Sequence, residues 1–95
     1  MFSGGDYAEV ERWLRLFVTS HAKRVSPRIE AIVEGGDERE GKSYGVRLRL
    51  GDRLSPLIEI DYTEAAANRG SLAWCHALAD RVQGLARDLL SAAAA

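Results

Sequence analysis

Ninety-five residues suffice for one compact domain and are too few for two. Hydrophobic residues make up 46% and charged residues 28%, which excludes a disordered polymer. Thirteen Lys and Arg against fourteen Asp and Glu leave none of the basic surplus that phosphate contacts demand, so the balance disfavours nucleic acid as a partner.

Cys75 is the single cysteine, so no intrachain disulfide or cysteine metal cluster can form, and a reducing, cytoplasmic home is expected. The start, Met1 to Asp6, has neither the basic residues nor the apolar run of a signal peptide. No stretch approaches membrane-spanning length, so no membrane partner is expected. The heavy use of Ala, Arg and Gly suits a GC-rich bacterial genome.

Residues 1–5 read as a flexible lead, after which Asp6 and Glu9 form a capping box that starts a helix near Tyr7. At about 100° per residue, Tyr7, Val10, Trp13, Leu14, Phe17, Val18 and His21 share one arc. Glu11, Arg12, Arg15, Thr19 and Lys23 lie opposite, so this helix rests on a core. Lys23 and Arg24 suit the negative end of the helix dipole, and Pro27 ends the helix at about Arg24.

From Pro27 to Tyr62 three runs alternate apolar and polar residues: Arg28 to Glu34, Ser43 to Leu50 and Leu57 to Tyr62. They predict an antiparallel meander with one wet face and one dry face. The dry face takes Ile29, Ala31 and Val33, then Tyr44, Val46, Leu48 and Leu50, then Ile58, Ile60 and Tyr62. Setting Leu50 opposite Ile58 brings Arg49 to Glu59 and Arg47 to Asp61, while Glu30 falls across from Arg47 or Arg49. Carboxylates then flank the central arginines on both sides, which makes a poor phosphate site. Gly35 to Lys42 is a charged, glycine-bounded loop expected to be mobile, and Gly51-Asp52 opens a turn that runs to Pro56.

The second helix begins between Thr63 and Ser71. A cap at Thr63 makes it continuous; a break at Asn68-Arg69-Gly70-Ser71 makes it restart. Leu72, Trp74, Cys75, Leu78, Ala79, Val82, Leu85, Ala86 and Leu89 form its inner half. His76, Asp80, Arg81, Gln83, Arg87 and Asp88 form its outer half, and residues 92–95 form a frayed tail. The expected fold class is α+β, in the order α-β-β-β-α: a three-stranded antiparallel meander sheet with two helices packed on one face, residues 1–95 forming a single domain.

Few residues carry chemistry. His21 lies in the apolar arc and is expected to be a core histidine hydrogen-bonded near the helix end. His76 and Asp80 are spaced i,i+4 on the polar side with no nucleophile in the pattern, so they read as a surface pair. Cys75 falls on the inner half, where a thiol behaves as a small hydrophobe. Residues 36–43 spell GxxxxGKS, but a strand follows where a phosphate loop needs a helix, and Asp37-Glu38-Arg39-Glu40 is mostly acidic. No catalytic residue, cofactor or metal ligand is therefore assigned, and the chain is expected not to be an enzyme.

One strip of the second helix is small. Gly70, Ala73, Ala77, Gly84 and Ser91 align on its outer side, and Gly84 costs about 1 kcal/mol relative to alanine there. A close-packed partner helix would explain it. Ala73, Ala77, Gly84 and the exposed Leu16 form the candidate interaction surface; Ile32 and Leu57 are apolar positions on the wet face.

In element order the chain resembles the double-stranded RNA-binding domain, and Tyr44 to Asp52 looks like that family's second strand and turn. The resemblance implies a duplex-RNA binder gripping phosphates from the start of the second helix and entering a minor groove with the first loop. The matching stretches here, Thr63 to Ser71 and Gly35 to Lys42, are acidic or neutral, so none of that family's functional residues carries over. The first elements are also similar in order to small secretion chaperones. The expected role is a protein-interaction or structural module with a protein partner, a second copy of itself being one candidate. RNA binding through Arg69 and Lys42 is the alternative, and a small-ligand pocket against Trp13, Trp74 and Tyr62 a further one.

Overall fold

The computed structural model describes residues 6–94 and has the expected α+β architecture. In chain order the elements are α1 (Tyr7–Val25), β1 (Glu30–Glu34), β2 (Ser43–Leu50), β3 (Arg53–Leu54), β4 (Ile58–Asp61), α2 (Tyr62–Asn68) and α3 (Leu72–Ala94). The expected lead, residues 1–5, and Ala95 lie outside the described residues.

The helix α1 starts as its capping pattern dictates: the Asp6 carboxylate accepts from the Glu9 N–H at 2.8 Å. Val10, Leu14, Val18 and Ala22, at i,i+4 spacing, are fully buried. Ser26 closes the helix by donating its N–H to Ala22 O at 3.2 Å.

In the sheet, β2 is central and every pairing is antiparallel. β1 lies on one side, with Glu30 opposite Arg49 and Ala31 opposite Leu48. β3 and β4 follow one another along the other side. Here the expected third strand is corrected. Gly51, at φ +66°, and Asp52 close a two-residue turn straight into β3, so Leu50 faces Arg53 rather than Ile58. The chain therefore runs back four residues sooner than expected, and Ile58 opposes Val46, Ile60 opposes Tyr44 and Glu59 opposes Gly45. A shift of four is even, so each side chain keeps its expected face.

Between those pairings, Arg47 and Leu48 of β2 stand against Ser55, Pro56 and Leu57. This is a bulge with one extra residue. Leu48 O accepts from the Ser55 N–H at 2.9 Å. The Leu48 N–H donates to the Ser55 hydroxyl at 2.8 Å in a buried site.

The dry face carries Ile29, Val33, Tyr44, Val46, Leu48, Leu50 and Ile60. These pack under the stripe of α1, Ala65 and Ala66 of α2, and Leu78, Val82, Ala86 and Leu89 of α3. Tyr7 and the Ser43-Tyr44 segment bind reciprocally. The Tyr44 hydroxyl donates to Tyr7 O at 2.7 Å, the Tyr7 hydroxyl donates to Ser43 O, and the rings stack with centroids 4.5 Å apart.

Tyr62, expected at the end of a strand, is instead the first residue of α2. Asp61 takes the capping role expected of Thr63, its carboxylate accepting from the Glu64 N–H at 2.8 Å. The question left open by the sequence is answered by a restart. Ser71 donates its N–H to Asn68 O and accepts from the Trp74 N–H at 3.3 Å, beginning α3 afresh. Leu72, expected on the inner half, is 89% exposed. It stands in the first turn of α3 at the margin of the apolar arc.

Removing the Ser55 hydroxyl leaves a buried N–H without a partner. Ser55→Ala is expected to cost about 1–3 kcal/mol in urea unfolding and to speed hydrogen exchange at Leu48. A loss under about 0.5 kcal/mol would show that the bulge does not depend on this bond.

Candidate functional site

Charge is consumed on the wet face of the sheet. Arg49 Nη2 lies 2.6 Å from Glu30 and Arg47 Nη2 lies 3.2 Å from Glu34, so carboxylates do reach the central arginines from β1. From the other side they do not, because the register sets Glu59 beside Gly45 and turns Asp61 into a helix cap. Arg39 takes Glu59 instead. Its Nε and Nη2 donate to one carboxylate oxygen at 3.0 and 2.7 Å, and the Ser43 hydroxyl donates to the other at 2.9 Å. These two bonds, Arg39 first, hold the Glu59 carboxyl below its ordinary range.

Gly45 makes room for the clasp. A Cβ there would stand 2.9 Å from Arg39 Cζ and 3.1 Å from Leu57 Cδ1. A glycine inside a strand often marks such a close approach, and that was the one sequence signal for it.

The loop expected to be mobile is thereby tied down over the sheet. It forms a compact turn in which the N–H groups of Arg39 and Glu40 donate to Gly36 O and those of Lys42 and Ser43 donate to Arg39 O. A phosphate loop aims such N–H groups at its ligand. Here the GxxxxGKS stretch spends them on itself.

On the opposite layer, α1 and α3 run side by side. Trp13 stacks on Trp74 at 6.3 Å, while Trp13 meets Phe17 at 5.2 Å and Phe17 meets His21 at 4.4 Å with their rings tilted. Beyond this ladder lies an open groove of about 440 Å³ whose walls include Phe17, His21, Leu72, Cys75 and Ala79. His21 is thus a groove wall and not the hydrogen-bonded core residue expected: its Nδ1 has no partner. Burial, and then the nearby Arg24, push its pKa down.

His76 Nε2 and Asp80 are 3.8 Å apart and well exposed, as a surface pair should be. Cys75 Sγ approaches Arg69 O at 3.5 Å, and burial pushes its thiol pKa up, away from the nucleophilic thiolate. Among the described residues, no three His, Cys, Asp or Glu side chains gather as a metal site would require.

The remaining candidate residues separate. Ala73 and Ala77 are exposed and share a shallow hollow with Leu72, His76 and Asp80. Gly84 is partly covered, with nothing within 4 Å of where its Cβ would stand. Leu16, 68% exposed, belongs to the outer back of α1 and lines neither the hollow nor the groove.

The aromatic trio expected around a pocket is likewise divided. Tyr62 packs on Tyr7 and Tyr44, while Trp74 Nε1 donates to Glu64 at 2.8 Å beside a cleft of about 350 Å³. Glu59, Asp61 and Glu64 border this cleft, and each is already engaged by a donor of the chain itself.

No described helix is long and apolar enough to cross a membrane. Compared with known proteins, the chain matches no family model, no curated protein and no solved structure.

The pKa of His21 sets a pH dependence. Its ordinary value is 6.5 and its folded value is lower, so protons bind the unfolded chain first. This contribution to stability is complete above about pH 6.5 and is lost as pH falls through the lower folded pKa. His21→Phe should flatten that part of the profile, read as urea midpoints at about pH 7.5 and pH 5. An unchanged slope would assign it elsewhere.

Proposed function

We propose that this chain is a non-enzymatic protein-interaction module that pairs with a second copy of itself through the outer face of α3. The observation that carries this reading is Leu72, a large apolar side chain 89% exposed between an apolar groove and the shallow Ala73–Ala77 hollow.

Charge and size favour a like partner. Two α3 helices crossed antiparallel about a point between Asp80 and Arg81 set Asp80 of each against Arg81 of the other. The same register sets Ala77 against Gly84, where close approach is open. Arg81 makes no ion pair among the described residues that this would disrupt.

The competing RNA reading loses support from the internal pairing of Arg39, Arg47, Arg49 and Arg69 with carboxylates. The cytoplasm belongs to this proposal too, on the strength of the single cysteine.

One crossing helix pair buries less than the roughly 1,200 Å² of a standard interface, so the dimer is expected to be weak. Light scattering over a concentration series up to about 1 mM should show it. Ala77→Glu and Leu72→Ser, both at exposed positions, should return the monomer without loss of fold by circular dichroism. A native monomer throughout, or a dimer indifferent to both changes, would overturn the proposal.

A further inference from the structure

The groove between α1 and α3 supports a separate conclusion. Glu9 meets Arg69 and Trp13 meets Trp74, so the two segments advance side by side in the same sense. The groove lining follows that order. Phe17 stands toward Leu72 and Cys75 at one end, and Arg24 toward Asp80 and Gln83 at the other. Phe17 and Arg24 are seven helical residues apart, about 10 Å along the axis.

The two ends differ in chemistry. Phe17, Leu72 and Cys75 form an apolar seat, in which burial keeps the thiol protonated and neutral, and the small side chain of Ala79 leaves the middle open. At the other end, the Arg24 guanidinium and the Gln83 amide have no partner among the described residues. Arg24 nonetheless bears on the groove, since its charge helps to hold the His21 pKa down. Asp80 reaches only His76, at 3.8 Å, and that imidazole offsets the carboxylate only when protonated. One cation, one anion and one amide thus line the polar end without binding one another.

Opposite charges left apart in one groove select against a ligand of either sign alone. A simple organic acid would gain Arg24 and be repelled by Asp80, and an amine would meet the reverse. A zwitterion satisfies both. We propose that this groove binds a free α-amino acid with a large apolar side chain. Its carboxylate pairs with Arg24 and accepts from the Gln83 amide, and its ammonium pairs with Asp80. Its side chain lies over Ala79 against Phe17, Leu72 and Cys75, covering apolar surface that Leu72 now shows to water. At about 440 Å³ the groove has the volume of a small-molecule site.

A peptide end is the wrong occupant, because its amino end lacks the carboxylate and its carboxyl end lacks the ammonium. The site is built from the crevice between the two helices and does not require α3 to pair with a second copy. Asp80 is the one charged group the two surfaces share.

The probe is L-phenylalanine, titrated into the isotope-labelled chain well below the concentrations at which a weak α3 dimer forms, so a failure here leaves that pairing untouched. Nuclear magnetic resonance should show the Cys75, Ala79 and Gln83 amides shifting together, with a dissociation constant of about 1 mM or tighter. N-acetylphenylalanine and phenylalaninamide each lack one charge and should bind the native chain at least about tenfold more weakly. Glycine, without the apolar side chain, should not bind. Arg24→Gln should erase the difference between phenylalanine and its amide, and Asp80→Asn the difference between phenylalanine and its acetyl form. Both positions are exposed, and the comparison of derivatives needs neither variant. Unshifted groove amides at tens of millimolar phenylalanine, or equal binding of either derivative, would overturn the proposal.

Discussion

Leu48 lies in the middle of the central strand, fully buried, and its N–H faces a stretch of chain where the ladder has slipped by one residue. Pro56 in that stretch has no N–H to offer, and the Ser55 hydroxyl supplies the acceptor that the strand backbone does not. Much follows from this substitution of a side chain for a main chain. With the extra residue absorbed, β4 lies along the first half of β2, and Asp61 arrives beside Ser43, where it caps α2. The same placement hands Glu59 to Arg39, so one buried bond sets the geometry of the opposite, wet face as well.

The alternation in Ser43 to Leu50 was sufficient to assign the central strand, its faces and its buried apolar residues, because the dry face needs an apolar residue at every second position, but it missed Gly45, buried on the wet face beneath Arg39 and Leu57. Register was not legible for the same reason. Alternation repeats every two residues and is blind to an even slip, so turn length decided between Leu50–Ile58 and Val46–Ile58. Leu72 was misplaced because a helical wheel has no knowledge of where the neighbouring layer ends. Asp61 read as the wet end of a strand, since a carboxylate suits both a solvated strand and a helix cap. For the candidate surfaces, the strip on α3 was visible as small residues in phase, whereas the exposure of Leu72 beside it and the groove shared by Arg24 and Gln83 depend on contacts between distant segments.

The near balance of charge in the sequence conceals a division between the two layers. On the sheet, Arg39, Arg47 and Arg49 are each met by a glutamate. On the helices, Arg12, Arg24, Arg81 and Arg87 make no ion pair among the described residues. Exposed pairs contribute little to stability, so the consequence of the sheet pairing is chiefly a nearly neutral face. Most of the charge available for an outside partner lies on the helices, with Arg53 of β3 also outside any ion pair among the described residues.

The reciprocal bonds between Tyr7 and the Ser43-Tyr44 segment join positions separated by 36 and 37 residues, and α1 also packs against α3 at the far end of the sequence. During synthesis α1 emerges before the strands, and the strands before α3. At roughly 5–20 residues per second, the stripe of Val10, Leu14 and Val18 waits on the order of ten seconds for its complete cover. The nascent chain thus passes through a window in which the apolar stripe of α1 lacks its mate on α3, and in which a holding factor has something to hold.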